Sequence, residues 1–242
     1  MRLTIQLYTV RDALAADLSG TLAKIKEIGL EYVELAGDYG KSGEEWKAML
    51  DELGLQASGA HIGVDQLENN YDGTVAFAKA LGLSLVIVPW IGKDRYENGW
   101  AAFGAQLEVI AQKLATEGIK LAYHNHDFEY IDGDGFSELY AAAPTLNAEV
   151  DAAWVKIGGH DPVEVIRGLG ARAIAVHGKD FDPSATPRWV PAGTGVMPME
   201  EVVKTAQAGG TQFLAIELDE SPADPLDAVA ASFAYFKGLG LS

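Results

Sequence analysis
The sequence predicts an α/β chain folded as a single (β/α)8 TIM barrel over residues 1–242. Two features predict it: apolar β-like and helix-like runs alternate eight times, and glycines punctuate the helix-to-strand joints. Leu3–Tyr8 opens the series and Leu22–Ile28 is its helix; Tyr32–Leu35 is followed by Glu44–Leu53, and Leu55–His61 by Tyr71–Leu81. Leu85–Pro89 leads to Trp100–Glu117, Ile119–His124 to Phe136–Ala142, and Ala148–Asp151 to Val163–Leu169. Ala173–His177 with Met199–Ala208, then Phe213–Glu217 with Leu226–Lys237, complete eight units. Several helical runs place apolar residues three or four apart, the spacing that lines one helix face. Gly29, Gly54, Gly82, Gly118 and Gly170 each stand where a helix must end before the next strand. A doubly wound open sheet would alternate in the same way, but no G-x-G-x-x-G follows the first strand to mark a dinucleotide site.

Composition narrows the function. The 242 residues are 48% hydrophobic and 22% charged, the profile of an ordinary globular chain rather than a disordered or fibrous one. Asp+Glu total 35 against 18 Lys+Arg, and the formal net charge of −17 would repel a nucleic-acid backbone. There is no cysteine, which excludes disulfides, thiolate zinc ligands and a thiol nucleophile. The opening MRLTIQLYTVRD is interrupted by Thr4, Gln6 and Arg11, and no apolar stretch approaches the roughly 18 residues of a membrane span. A cytoplasmic protein with no nucleic-acid or membrane partner is expected. No linker or low-complexity tract divides the chain, so one domain is expected.

In such a barrel the chemistry sits at the carboxyl ends of the strands, and the polar residues here collect there. The third run ends in Gly59-Ala60-His61, the fifth in Tyr123-His124-Asn125-His126, the sixth in Glu149-Val150-Asp151, the seventh in His177-Gly178-Lys179-Asp180 and the eighth in Glu217-Leu218-Asp219. Asp151, His177 and Glu217, on three successive strands, offer O, N and O ligands to one divalent cation, and Mn²⁺, Mg²⁺, Co²⁺ and Zn²⁺ all suit that mixture. Glu34, at the end of the second run, is placed either to bind a hydroxyl or to cap a loop. Pro191-Ala192-Gly193-Thr194-Gly195 lacks a P-loop pattern and reads as a glycine loop of tight geometry. Asp161 before Pro162 reads as a helix N-cap.

Several stretches together resemble the xylose isomerase-like barrel superfamily of sugar isomerases and epimerases: QLYTVRD from Gln6, YVELAG from Tyr32, SGAHIG from Ser58, YHNHDFEY from Tyr123, EVDAAWVKIGGHDPVEVI from Glu149, VHGKD from Val176 and AIELDE from Ala215. The resemblance implies one divalent metal held by Glu, Asp, His and Glu from four successive strands. Asp151, His177 and Glu217 map directly. The first ligand falls where this chain reads Tyr123-His124-Asn125, leaving Glu129 as the candidate, with His124 or His126 as substitutes.

It further implies a small sugar or keto-sugar substrate, proton abstraction beside its carbonyl through a metal-stabilised cis-enediolate, and Glu217 and Glu129 as acid and base on opposite faces of the sugar. His61, His124, His126 and Lys179 would contact oxygens of the substrate, and Trp154 and Tyr8 its apolar faces. A homodimer is expected on the same basis. The superfamily also contains metal-dependent lyases acting on keto-inositols and 3-keto-glycosides, which share the first step. A non-catalytic sugar-binding barrel is the further alternative. The superfamily's trinuclear-zinc DNA-repair enzymes are disfavoured by five histidines and the charge of −17.

Overall fold
The computed structural model describes residues 1–221 and 223–242. Among the described residues there are ten strands: β1 (Arg2–Gln6), β2 (Tyr32–Ala36), β3 (Gln56–His61), β4 (Leu85–Val88), β5 (Lys120–His124), β6 (Asn147–Asp151), β7 (Ala173–His177), β8 (Asp180–Phe181), β9 (Trp189–Val190) and β10 (Phe213–Ile216). Eight of them form a closed parallel barrel in the order β1-β10-β7-β6-β5-β4-β3-β2. The barrel closes through β1 and β10, in register from Arg2 with Phe213 to Ile5 with Ile216. The predicted (β/α)8 barrel is therefore the observed fold.

Helices Leu18–Ile28, Gly43–Leu53, Tyr71–Leu81, Trp100–Thr116, Gly135–Ala142, Pro162–Leu169, Met199–Gly209 and Pro225–Gly238 follow the eight barrel strands. Their apolar faces and the outward faces of the strands make the main core, in which Trp46, Phe103 and Phe236 are fully buried. The local signals act as expected. Ser42 and Glu45 form a reciprocal capping box at one helix start, and Asp161 accepts the Val163 N–H at 2.8 Å beside Pro162 at the first helical turn. Gly54 and Gly82 end their helices in the left-handed conformation that side-chain-bearing residues avoid. Among the described residues no helix is long and apolar enough to cross a membrane.

The first and fourth runs end earlier than the sequence predicts. After Gln6 the chain turns into a short 3-10 helix, Leu7–Val10, because the Gln6 side chain accepts the Tyr8 N–H at 3.0 Å. Pro89, without an N–H, leaves β4 at Val88. The β8–β9 hairpin and the short helices Arg11–Ala16, Val64–Asn69 and Ala152–Ile157 lie within the predicted loops. A second apolar cluster of Leu85, Ile87, Ala122, Ile174 and Ala175 lies apart from the main core. Ala122 and Ala175 are two residues before His124 and His177, on the same strand faces, so this cluster floors the polar end of the barrel.

One close helix contact gives a stability test. A methyl on Gly104 would run into the backbone carbonyl of Leu139, whereas one on Gly168, also within a helix, would meet nothing. Gly104→Ala is expected to cost about 1–3 kcal/mol by overpacking. Gly168→Ala is expected to be neutral or to stabilise by up to about 1 kcal/mol through helix propensity. Urea denaturation of the two variants checks both.

Candidate functional site
The carboxyl ends of the strands surround a cavity of about 520 Å³ lined by residues of both barrel halves. Tyr8, Ala36, Gly37, His61, Pro89 and Trp90 come from the first half of the chain. His124, His126, Trp154, Lys179, Glu217 and Asp219 come from the second. All five residues predicted to bind substrate, His61, His124, His126, Trp154 and Lys179, are therefore brought to one cavity. Of the lining residues, Tyr8 and Trp90 are 45% and 60% exposed, the Tyr8 ring stacking under the Arg11 guanidinium at 4.1 Å.

Beneath the cavity is a network of ionisable groups almost withdrawn from water. His177 Nδ1 lies 2.7 Å from Glu217 Oε2, and its Nε2 lies 3.0 Å from Glu34 Oε1 and 3.1 Å from Glu149 Oε2. His61 Nε2 lies 2.7 Å from Glu149 Oε2 and 3.2 Å from Glu34 Oε1. Gln6 donates its amide to Glu34 Oε1 at 2.7 Å. Lys179 Nζ stands 3.0 Å from Asp151 Oδ2, 2.8 Å from Glu217 Oε2 and 2.9 Å from Asp219 Oδ1. Lys179 is thus bound to the strand-end carboxylates and not to its sequence neighbours Asp180 and Asp182.

Local chain geometry fixes Asp151. Its Oδ1 caps the helix Ala152–Ile157 by accepting the N–H groups of Ala153 at 2.9 Å and Trp154 at 3.0 Å. Asn125, one residue beyond β5, clamps its backbone by accepting the Asp151 N–H at 3.0 Å and donating to the Asp151 carbonyl at 3.2 Å. Oδ2 is left buried without a hydrogen bond, with the Lys179 ammonium nearby but not aligned as a donor.

The charges of these groups follow from burial and neighbours. Burial opposes the charged rings of His61 and His177, but the surrounding carboxylates outweigh it, raising His177 well above the usual imidazole range and His61 to about 9. Burial likewise opposes ionisation of Glu217, yet Lys179 and His177 hold it well below the usual carboxylate range. Lys179, despite full burial, is held charged by Asp151, Glu217 and Asp219. His124 is pushed down by burial and by His177, and His126 falls to about 4 through burial and the Lys179 charge. Neutral imidazoles and an ionised carboxylate therefore face one cavity near neutral pH.

Among the described residues, two groups of side chains bring possible ligand atoms within 4.8 Å of one another: His124, Asp151, His177 and Glu217, and the adjoining His61, His124, Glu149 and His177. The first contains all three residues chosen from the strand ends. Its imidazole and carboxylate donors, with the unpartnered Asp151 Oδ2, fit a divalent cation. Glu129 belongs to neither group. It accepts the Tyr123 hydroxyl at 2.7 Å and the His126 N–H at 2.9 Å, buried behind the cavity wall. The structure thus brings His124, not Glu129, beside Asp151, His177 and Glu217, because Glu129 lies in a 3-10 turn, Phe128–Tyr130, that faces Tyr123.

Glu149, Gln6, Asn125 and Asp219 had no assigned role in the sequence reading. Strand alternation was the available signal for Glu149, two residues before Asp151 on the same face of β6. The glycine loop after Pro191 is tight for an internal reason. Asp180 Oδ2 accepts the N–H groups of Gly193 and Gly195, both at 3.0 Å, and Oδ1 accepts that of Met197 at 3.1 Å. An internal carboxylate thus fills the place a phosphate would need.

The sequence profile described as xylose isomerase-like TIM barrel matches residues 22–239. The chain belongs to this family. Among curated proteins, the rhizopine catabolism protein MocC of Rhizobium meliloti is 22% identical over 186 residues, covering 67% of this chain and 57% of that protein. The chain thus spans little more than half the length of this relative. Among solved structures, a sugar phosphate isomerase/epimerase from Parabacteroides distasonis aligns over 98% of this chain and 93% of its own, with a TM-score of 0.83 and 20% identity. A probable 3-DHS dehydratase, AsbF of Bacillus anthracis, aligns over 98% and 99%, with a TM-score of 0.75 and 14% identity. The IolI protein with a binding zinc atom aligns over 99% and 98%, with a TM-score of 0.73 and 14% identity. At these identities the likeness establishes a shared fold.

Burial raises the Glu129 carboxyl to about 7, against the opposing hydrogen bonds from Tyr123 and His126. The folded protein then holds a proton there that the unfolded chain releases above about pH 4.3. Between these values the native state binds more protons, so this group's contribution to stability falls as pH rises. Relative to Glu129→Gln, the wild type is expected to lose up to about 3 kcal/mol between pH 5 and pH 8. Urea denaturation of both proteins at the two pH values measures the change, and parallel curves would show that Glu129 titrates normally.

Proposed function
We propose that this chain is a divalent-metal-dependent enzyme acting on a small sugar or keto-sugar, removing the proton from the carbon beside the carbonyl and completing an isomerisation or epimerisation. The observation that carries the reading is the convergence of His124, Asp151, His177 and Glu217 below a cavity walled by aromatic and hydrogen-bonding side chains. These four would hold one ion, with His124 in the place expected of Glu129. Their donor set suits Mn²⁺, Mg²⁺, Co²⁺ or Zn²⁺. Such an ion supplies Lewis acidity, polarising a carbonyl and making its neighbouring C–H acidic. The zinc atom reported for IolI and the isomerase/epimerase of P. distasonis support the reading.

The chain's own groups divide the remaining work. Glu217, held ionised by Lys179, is the base. Lys179, 2.8 Å from Glu217 Oε2, presents a permanent positive charge to a developing oxyanion. His126, neutral and with Nδ1 free of hydrogen bonds, is the second proton carrier at the cavity wall, taking the role expected of Glu129. His61 offers hydrogen bonds, and Trp154 and Tyr8 apolar faces, to the sugar. The cationic side chains among the lining residues, Lys179 and His61, are each already matched by carboxylates, which supports an unphosphorylated substrate.

One observation favours elimination as a second reading. Glu217, Lys179 and Asp219 cluster on one side of the cavity, so a base and a neighbouring acid can serve one face, as loss of a β substituent requires. The dehydratase among the structural relatives supports it.

Calorimetric titration of metal-stripped protein with Mn²⁺ is expected to give one site, absent in a folded Asp151→Ala/His177→Ala variant. Equal binding by both, or by neither, overturns the assignment. With keto-sugars in D₂O, the loaded wild type is expected to exchange the proton beside the carbonyl, and Glu217→Gln to slow this by roughly 100-fold or more. Proton NMR of the same samples separates epimer from elimination product. Sugar binding without exchange by any metal-loaded form would mean a binding protein.

A further inference from the structure
The two histidines of the candidate metal site share a feature that the proposed chemistry leaves unexplained. Each ring bridges carboxylates through both nitrogens, His124 between Asp151 and Glu149 and His177 between Glu217 on one side and Glu149 and Glu34 on the other. His124 places Nε2 3.9 Å from Asp151 Oδ2 and Nδ1 3.2 Å from Glu149 Oε2. His177 does the reverse, with Nδ1 2.7 Å from Glu217 Oε2 and Nε2 3.1 Å from Glu149 Oε2. One nitrogen of each ring thus meets the same oxygen of one fully buried carboxylate.

A neutral imidazole has one N–H and one lone pair, and a ligand must turn the lone pair to the metal. A carboxylate accepting the N–H of the opposite nitrogen fixes which is which and holds the ring plane. We infer that Glu149 is the positioning residue of this site, a carboxylate that locks His124 as the Nδ1–H tautomer and, together with Glu34, whose Oε1 hydrogen-bonds His177 Nε2, locks His177 as the Nε2–H tautomer. The inference rests on the metal reading above. The two rings need opposite tautomers because they turn different nitrogens to the buried pair Glu149 and Glu34, and carboxylates, which only accept, can impose both at once. A neutral amide could present its NH₂ to the same nitrogens and impose the reverse.

The surroundings support a positioning role. Glu149 stands two residues before Asp151 on β6, so one strand carries both a candidate ligand and the group orienting two others. His61, 2.7 Å from the same oxygen, and Glu34, 3.0 Å from His177 Nε2 and 3.2 Å from His61 Nε2, complete the layer. Gln6 in turn anchors Glu34. Glu149 is absent from the cavity lining, whereas Glu217 is part of it.

Zinc is the probe, because it is diamagnetic and permits NMR. In the zinc-loaded wild type, long-range ¹H–¹⁵N spectra of the five histidines are expected to show His124 protonated at Nδ1 and His177 at Nε2. Zinc affinity, measured by competition with a chelator, is expected to fall 10- to 100-fold in Glu149→Gln. Asp151→Asn, which removes a ligand charge, is expected to lose binding more completely. The opposite tautomers in the wild type would overturn the inference without any variant, as would unchanged affinity in a folded Glu149→Gln. If Glu149→Gln abolishes binding while Asp151→Asn retains it, Glu149 is itself a ligand and the inference fails. If wild-type protein binds no zinc, Mn²⁺, Mg²⁺ or Co²⁺, the metal reading fails and takes this inference with it.

Discussion

Burial of many charges in one place is the constraint on which the rest of this structure depends. Glu34, Glu149, Asp151, His177 and Lys179 are each 1% exposed or less, and Glu217 only 5%. An ionised group withdrawn from water is tolerated only when an opposite charge or hydrogen bonds replace its hydration. Each of these residues therefore requires the others, and since they come from strands all around the barrel, the network sets how those strand ends meet. Closure of β1 on β10 is part of the same requirement, because it brings the Gln6–Glu34 pair and Glu217 to His177.

The buried carboxylates fall into two kinds. Asp180 spends its oxygens on backbone N–H groups, holding the loop after Pro191, and Glu129 does much the same with the Tyr123 hydroxyl and the His126 amide. These are internal struts. Asp151 divides its oxygens, one capping a helix and the other left without a hydrogen bond toward Lys179 and the imidazoles. Glu217 meets only mobile protons, on His177 and Lys179. A carboxylate committed to main-chain amides has little capacity left for a ligand, whereas one facing ionisable side chains can exchange a proton for a cation.

Sequence periodicity made the barrel legible, because eight apolar runs and their glycine stops are local signals that the tertiary fold did not override. Asp151, His177 and Glu217 were legible for a related reason: the end of an apolar run marks the barrel mouth. The hairpin of β8 and β9 was not, since two-residue strands leave no periodic trace. Glu129 was misplaced because its surroundings are set by a 3-10 turn and by Tyr123, whose ring points into the helix layer against Phe103 while its hydroxyl reaches round the strand end. His124 read both as a substrate contact and as a substitute for Glu129, and only the packed strands bring it beside Asp151, His177 and Glu217. The partners of Lys179 lie 28 to 40 positions away in sequence, beyond any neighbour-based guess.

The cavity is unevenly built. His124, Lys179 and Glu217, with Asp151 and His177 buried beside them, belong to the second half of the chain, while Tyr8, Gly37, Pro89 and Trp90 follow strands of the first. The charged network is thereby concentrated on one half of the barrel, tied to the other half by Glu34 and His61. Loops after β1, β2 and β4 can then be exchanged or lengthened with little disturbance to the charged network, since those two residues sit within strands. A barrel so divided can change the shape of its rim while its buried ion pairs stay as they are, and grafting those three loops is the natural route to reshaping the cavity.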